Sequence, residues 1–314
     1  MELLLSSLNV VFPLFVMMTA GWLIKKAGLM TDDGFAEMNR ANVRFFLPIM
    51  QFINVYEGNL FERANRVFFM YVVIAAVILF LLCIYIMPVF IKDKERRVAF
   101  LLGVYRPNIA IYGLPLAQSI LGDARQVSDV FVMISVAILT TNFFAVMAIE
   151  LYKGESIKPL TLVFRSFKNP IMYGIMLGMA FQFLPFSLPP ILASPIRSMA
   201  AVATPLAFAA LGASFTLKGF KRNIRTISAA AFLKLVLTPL AAISIGVLLL
   251  GFRGASLVAL LCVFATPTAV NVLPLVKEAG ADDKLASEIT VFTTGASVLT
   301  IFCFVYFFKL AGFF

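Results

Sequence analysis

Apolar runs of about 20 residues recur along the whole chain and are separated by short polar loops. A helix of that length crosses the hydrocarbon core of a bilayer, which is roughly 30 Å thick. Of the residues, 61% are hydrophobic and only 13% are charged, whereas a soluble domain carries about 25% charged residues. Too few polar residues are present to cover a soluble globule. The sequence therefore predicts an all-α integral membrane protein.

The apolar runs divide the chain into ten predicted membrane spans. They cover residues 7–25, 36–56, 67–91, 97–120, 127–152, 168–184, 195–217, 225–250, 254–277 and 285–309. The longest linker, residues 153–167, is too short to hold a separate soluble domain.

The 26 Lys and Arg residues are divided unequally between the two sides of such a bundle. Loops that follow odd-numbered spans hold 18, the opposite loops hold 6, and Arg106 and Lys234 lie within spans. Because cytoplasmic loops are enriched in Lys and Arg, the first set is assigned to the cytoplasm, which places both termini outside. This distribution accounts for the net charge of +10. A nucleic-acid partner is not predicted, because no basic stripe is interleaved with aromatic residues.

Residues that commonly carry catalysis or bind metals are scarce. The chain has no histidine, and its three cysteines lie in apolar runs without a CxxC pair. Neither a metal site nor a disulfide framework is therefore indicated. No nucleophile and base stand in a pattern that indicates an enzyme. No cofactor is predicted, and coupling to Na⁺ or H⁺ stays open.

The second half of the chain repeats the first at an offset of 157 to 160 residues. The matching pairs are Pro13 with Pro170, Gly21 with Gly178, Pro48 with Pro205, Pro107 with Pro267, and Pro115 with Pro274. Each copy, 1–154 and 155–314, holds five predicted spans. Because five is odd, the second copy enters the membrane from the opposite face. Inverted repeats of this kind build many secondary transporters.

Prolines interrupt the fourth span of both copies, at Pro107 and Pro267. A proline lacks the helical N–H donor and moves its predecessor out of the α region. Arg106 and Thr266 are therefore expected to be extended. Backbone groups freed in this way must be buried against protein or line a wet cavity. The two breaks are predicted to cross near the bilayer midplane, where inverted-repeat transporters bind their substrates.

The predicted crossing of spans 4 and 9 is electropositive. The half-helices that begin at Asn108 and Thr268 direct their N-termini to the centre, and each N-terminus carries roughly +0.5 of an elementary charge. Asn108, Thr268 and Asn271 add side-chain donors, and Arg106 adds a full charge. An anion is therefore the predicted ligand. Arg106 has two alternative roles: it could brace the break through freed carbonyls, or snorkel towards the cytoplasm.

Several stretches resemble the auxin efflux carrier family of membrane transporters, in its short bacterial form. They are RPNIAIYGLPLA at 106–117, FFLPIMQF at 45–52, ATPLAFAALGASF at 203–215, LVLTPLAA at 235–242 and TPTAVNVLPL at 266–275. The resemblance implies a scaffold of spans 1, 2, 6 and 7, often a homodimer, and a transport unit of spans 3–5 and 8–10 that moves as an elevator. It also implies organic anions as substrates: indole-3-acetate in plants, and malate- or malonate-like carboxylates in bacteria. Plant members carry a long central loop, so the short 153–167 loop favours a small carboxylate over auxin. The resemblance to the bacterial form implies a location in a bacterial inner membrane.

Other polar residues in the spans each keep two interpretations. Thr141 and Asn142 in span 5 either line a substrate path or bond helices together. Gln51 lies three residues before Asn54, hence on the same helix face, and either walls the site or packs against a neighbour.

Three ionisable residues are candidates for ion coupling. Asp129 and Glu288 are predicted in the first turns of spans 5 and 10, where an acid either caps the helix or takes part in coupling. Lys234 lies about ten residues into span 8 and either snorkels or contributes to substrate binding or coupling.

The leading functional hypothesis is a secondary active or facilitative transporter of carboxylate anions, with its site where spans 4 and 9 cross. The first alternative is a sodium-coupled organic-anion symporter, similar in architecture to the bile-acid carriers. The second is a membrane receptor or channel, for which two symmetric breaks have no obvious use.

Overall fold

The computed structural model describes residues 13, 16–57, 66–121, 123–153, 170–184, 187–214 and 217–313, and these are almost entirely helical. Within these ranges no strand forms, and the one β-bridge joins two isolated extended residues. The helices are α1 (16–26), α2 (Asp32–Ala41), α3 (Leu47–Tyr56), α4 (Arg66–Phe90), α5 (Lys94–Tyr105), α6 (Ile109–Leu121), α7 (Ala124–Lys153), α8 (Pro170–Gln182), α9 (Pro190–Ser214), α10 (Leu217–Phe232), α11 (Thr238–Leu248), α12 (Gly254–Leu260), α13 (Val272–Glu278) and α14 (Asp283–Leu310).

Five helical segments in the described part of the chain are long and apolar enough to cross a membrane. They are Arg66–Phe90, Met133–Tyr152, Pro190–Ser214, Phe220–Leu248 and Asp283–Leu310. Two shorter apolar segments are Pro170–Gln182 and Gly254–Ala265. Large apolar side chains such as Met70, Tyr85 and Leu249 remain exposed on the outside of the bundle, as a lipid-facing surface requires. The prediction of a helical membrane protein is confirmed.

Three π-helical turns widen the helices where a proline follows. They are Asn42–Phe46 before Pro48, Leu233–Leu237 before Pro239, and Leu261–Ala265 before Pro267. A proline cannot donate to the carbonyl four residues earlier, and its ring collides with that carbonyl. A π turn relieves both problems because its hydrogen bonds reach one residue further.

Glycines allow two pairs of helices to pack backbone against backbone. A Cβ atom added at Gly212 would lie 1.8 Å from the carbonyl oxygen of Met18, so α9 and α1 touch there. A Cβ atom added at Gly174 would lie 2.0 Å from the carbonyl oxygen of Pro48, so α8 and α3 touch in the same manner. Small residues permit this approach, which strengthens van der Waals packing between helices in a membrane.

The acids that cap α7 and α14 are Asp123 and Asp282. The carboxylate of Asp123 accepts from the backbone N–H of Gln126 at 2.9 Å, and that of Asp282 accepts from Leu285 at 2.9 Å. Both helices begin two or three residues earlier than predicted, so Asp129 and Glu288 fall in the second turn. The capping interpretation of those two residues is therefore wrong.

Candidate functional site

The first interruption lies between α5 and α6. The α5 helix ends at Tyr105, and Arg106 is extended, with φ of −87° and ψ of 107°. Pro107 and Asn108 follow, and α6 begins at Ile109. Arg106 has left the α region, which confirms the expectation from the proline that follows it.

The second interruption follows α12 and its π-helical turn. The turn ends at Ala265, and Thr266 is extended, with φ of −72° and ψ of 152°. The next helix, α13, begins only at Val272. The expectation that Thr266 would leave the α region is also confirmed.

The two extended segments pair with each other in antiparallel orientation. The N–H of Asn108 donates to the carbonyl of Pro267 at 2.9 Å, and the N–H of Ala269 donates to that of Arg106 at 3.0 Å. These bonds flank a β-bridge between Pro107 and Thr268. Backbone groups freed in one helix are thus satisfied by the other, as the lipid interior demands. The two interruptions are in direct contact.

A small cavity adjoins this paired segment. Its lining comes from the two interruptions, from α6 and α7, and from α3 and α9. The polar residues of the wall are Gln51, Arg106, Asn108, Thr141, Asn142, Thr204 and Asn271. The cavity volume is about 40 Å³, which holds a few water molecules.

Four buried polar atoms in the cavity wall have no hydrogen-bond partner in the protein. Three are donors, namely Nε2 of Gln51, Nη1 of Arg106 and Nδ2 of Asn108, and the fourth is the acceptor Oδ1 of Asn271. These residues are between 2% and 8% exposed. A buried group without a partner costs about 1–3 kcal/mol, so a ligand that accepts from the three donors would stabilise the site. A carboxylate offers two oxygens with about four lone-pair positions.

Arg106 gives this wall a positive charge. Its Nη2 group donates to the neutral Oδ1 of Asn142, so the guanidinium charge is not compensated there. Among the described residues that line the cavity, none is an aspartate or glutamate. Because a charge in the middle of a membrane is costly unless it is paired, the site electrostatically favours an anion.

The predicted residues of α7 and α3 also reach the cavity. The hydroxyl of Thr141 donates to the carbonyl of Ala137 in its own helix at 2.7 Å. Asn142 donates to Ile138 in the same way and accepts from Arg106. These bonds fix the side chains that line the wall, so Asn142 both lines the cavity and positions Arg106.

Thr266, Pro267 and Thr268 lie beside the cavity rather than in its wall. The hydroxyl of Thr266 donates to the carbonyl of Cys262 at 2.9 Å, and that of Thr268 donates to Gly103 at 2.5 Å. The Thr268 bond joins the second interruption to α5. Both hydroxyls therefore stabilise the crossing. Each uses its one proton in these bonds and cannot donate to a ligand.

The three coupling candidates do not line the cavity. Lys234 is buried, at 1% exposure, within the π-helical turn between α10 and α11. Glu288, also 1% exposed, accepts from Nδ2 of Asn223 at 2.7 Å. Asp129 is partly exposed near the start of α7. No group of three His, Cys, Asp or Glu residues that could hold a metal ion occurs in the described part of the chain.

Sequence reasoning missed five residues that α3 and α9 contribute to the wall: Leu47, Met50, Ala203, Thr204 and Ala207. The offset between the two halves of the sequence contained a signal for four of them. Thr204 follows Leu47 by 157 residues, and Ala207 follows Met50 by the same distance. Each pair therefore occupies positions that this offset matches, beside the matching prolines Pro48 and Pro205.

Comparison with known proteins assigns the chain to a family. A search of curated proteins finds no match to this chain. A family model described as membrane transport protein matches residues 6–305, which is nearly the whole chain. Members of that family, which includes the auxin efflux carriers, are transporters and not enzymes. The chain therefore belongs to the membrane transport protein family and is a helical, multi-pass membrane transporter.

Proposed function

We propose that the protein is a secondary active or facilitative transporter of small organic carboxylate anions of the malate or malonate type. The observation that carries this proposal is the set of three unpartnered buried donors, one of them on the guanidinium of Arg106, in a wall without acids. Donors fixed in advance bind an anion without the cost of ordering them. The N-terminus of α6 begins beside Asn108 and adds roughly +0.5 of an elementary charge.

The size of the cavity supports an alternating-access cycle. A volume of about 40 Å³ is far below the roughly 300 Å³ of pockets that hold small molecules, so the cavity must widen before a carboxylate can enter. Its lining residues belong to two groups of helices in the proposed architecture: α3 and α9 form one, and the interruptions with α7 form the other. Sliding one group along the other would open the cavity to either side, which is elevator-type movement.

The proposed architecture has ten spans in two inverted repeats, 1–154 and 155–314. The reciprocal contacts of α1 with α9 and of α8 with α3 support it, because a two-fold axis relating the repeats would generate one contact from the other. In this scheme α1–α3, α8 and α9 form a scaffold that dimerises, and α4–α7 with α10–α14 carry the substrate. Both termini lie outside a bacterial inner membrane, following the distribution of Lys and Arg.

Replacement of Asn108 by alanine tests the site. The loss of one hydrogen bond to a charged ligand, about 1.5–3 kcal/mol, should weaken carboxylate binding by roughly 10- to 150-fold. Binding is measured as ligand-induced thermal stabilisation, and flux as uptake of labelled malate or malonate into proteoliposomes. Asn39→Ala is the matched control, because Asn39 is an equally buried asparagine, 3% exposed against 4%, that does not line the cavity.

Two results would contradict the proposal. The first is the absence of any stabilisation or flux with a panel of dicarboxylates, monocarboxylates and indole acids. The second is an equal loss of affinity in Asn108→Ala and in Asn39→Ala, which would assign the effect to folding.

A sodium-coupled organic-anion symporter is the second candidate. The observation in its favour is that two buried oxygens, Oγ1 of Thr294 and Oδ1 of Asn271, have no hydrogen-bond partner, since hard cations bind oxygen ligands. Sodium should then raise both the thermal stability and the carboxylate affinity relative to equal potassium, at each of two pH values. Identical behaviour in the two salts would exclude this candidate.

A further inference from the structure

A second cavity of about 310 Å³ lies on the outside of the bundle between α4, α5 and α7. Its walls are apolar and include Ile84, Val98, Leu101 and Leu151. At one end the lining changes to Lys94, Arg97 and Tyr152. The cavity thus combines an apolar trough with a cationic end, and none of its lining residues belongs to the site described above.

The cationic end of this cavity coincides with the polar ends of the helices that form it. Tyr152 is the last residue of one candidate span, Met133–Tyr152, and Pro88 in the cavity wall lies two residues before the end of another, Arg66–Phe90. Neighbouring side chains on α4, such as Tyr85 and Val89, are exposed and apolar. Tyrosine and cations at the end of a lipid-facing span mark the level of the lipid headgroups.

Arg97 is held in place for a ligand. Its Nε donates to the carbonyl of Ile91 at 2.9 Å, and its Nη2 donates to that of Lys92 at 2.8 Å. A guanidinium has five N–H donors, so three remain after these two bonds. A fixed fork of this kind suits a phosphate better than a mobile ammonium does.

Two acids, Asp93 and Glu95, lie near this end but outside the lining of the cavity. The carboxylate of Asp93 is engaged by the backbone N–H groups of Glu95 and Arg96 at the start of α5. The lining therefore carries two positive charges and no negative one.

We propose that this cavity is a binding site for one anionic phospholipid, with its phosphate on Lys94 and Arg97 and an acyl chain along Ile84, Leu101 and Leu151. Basic pockets between membrane helices at the cytoplasmic surface bind anionic headgroups. The apolar trough distinguishes this ligand from free phosphate, which would have no use for it. The site is independent of the carboxylate cavity.

The test is lipid-dependent stability of the full chain in detergent. Palmitoyl-oleoyl phosphatidylglycerol should stabilise the protein more than phosphatidylcholine with the same chains, and glycerol phosphate should have no effect. In Lys94→Gln/Arg97→Gln the dissociation constant for phosphatidylglycerol should rise roughly thirty-fold, at about one factor of five per basic residue. Lys94→Gln alone should raise it about five-fold, and it leaves the bonds of Arg97 to the carbonyls of Ile91 and Lys92 intact.

Two further variants separate a built site from diffuse attraction. Lys221→Gln/Arg225→Gln removes two exposed charges outside the cavity and should keep the wild-type affinity for phosphatidylglycerol. Leu151→Trp fills the trough from its exposed rim and should abolish the preference although both cations remain. Equal stabilisation by the two lipids, or an equal loss of affinity in both double variants, would overturn the proposal.

Discussion

Replacing Arg106 by glutamine distinguishes a substrate anchor from a structural brace. The guanidinium is 4% exposed and donates from Nη2 to Oδ1 of Asn142, while Nη1 has no partner. The backbone carbonyl of Arg106, which accepts from Ala269, is unchanged by the substitution. The glutamine side chain ends two bonds short of Nη2, so the substitution removes the charge, the unpartnered donor and the bond to Asn142.

The structure fixes the expected magnitudes for this substitution. In the protein without ligand, removing the guanidinium charge relieves a cost of at least ~2.5 kcal/mol inside a membrane. The substitution also removes one charged hydrogen bond, which contributes about 1.5–3 kcal/mol. The two effects offset each other. The free energy of unfolding should therefore change by about 1 kcal/mol or less. In the complex no such offset exists, and carboxylate affinity should fall by roughly 10- to 150-fold.

Thermal unfolding with and without carboxylate measures both the free energy of unfolding and the carboxylate affinity of Arg106→Gln. At a carboxylate concentration 100 times the wild-type dissociation constant, the wild type gains about 2.7 kcal/mol. A variant with 100-fold weaker binding gains only about 0.4 kcal/mol. Arg253→Gln is the reference for bracing, because Arg253 donates to the carbonyl of Val247 in the last turn of α11 and to that of Phe252 after it. If Arg106→Gln instead destabilises the empty protein as Arg253→Gln does and keeps its carboxylate affinity, Arg106 is a brace.

Three further substitutions test packing, the crossing and coupling. Gly212→Ala should destabilise the protein in thermal unfolding. Overpacking against the Met18 carbonyl costs about 1–3 kcal/mol, which outweighs the helix-propensity gain of about 1 kcal/mol. In the control Gly34→Ala the added methyl group meets only a flexible side chain, so an equal loss of stability there would contradict the packing argument. Thr268→Val removes the hydrogen bond to the Gly103 carbonyl at 2.5 Å and should lower the free energy of unfolding by about 1–3 kcal/mol. An unchanged melting curve would contradict this prediction. Glu288→Gln keeps an acceptor for Asn223 and should leave carboxylate affinity unchanged, whereas a loss of affinity or of pH dependence in the flux assay would place Glu288 in coupling.

Local sequence signals were sufficient for the helical character and for the interruptions. An apolar run or a proline affects the structure of the residues next to it in the sequence. The observed α4, α7 and α14 therefore begin and end within a few residues of the predicted spans. Helix starts were less accurate, because a cap is one side chain bonding to a backbone group three residues away. Asp123 and Asp282 take that role, and the acids chosen from the sequence lie one turn too late.

The candidate site was predictable only in part. Pro107 and Asn108 belong to the interruption itself, so the same proline that breaks the helix identifies them. Gln51 and Thr204 lie on helices that are remote in sequence, and they reach the cavity because α3 and α9 pack beside the crossing. Thr268, expected to face a ligand, uses its hydroxyl to bond Gly103 instead, which side-chain chemistry alone does not reveal.

The sequence by itself determined that the chain is a bundle of apolar helices, broken at Pro107 and Pro267. These features follow from hydrophobic length and from a missing N–H donor, and both are properties of neighbouring residues. Only the tertiary structure decided that Asn108 bonds to Pro267 across the bundle and that the amide of Gln51 is left without a partner. Which polar groups pair and which remain free depends on how distant helices approach each other, and that approach is set by packing of the whole fold.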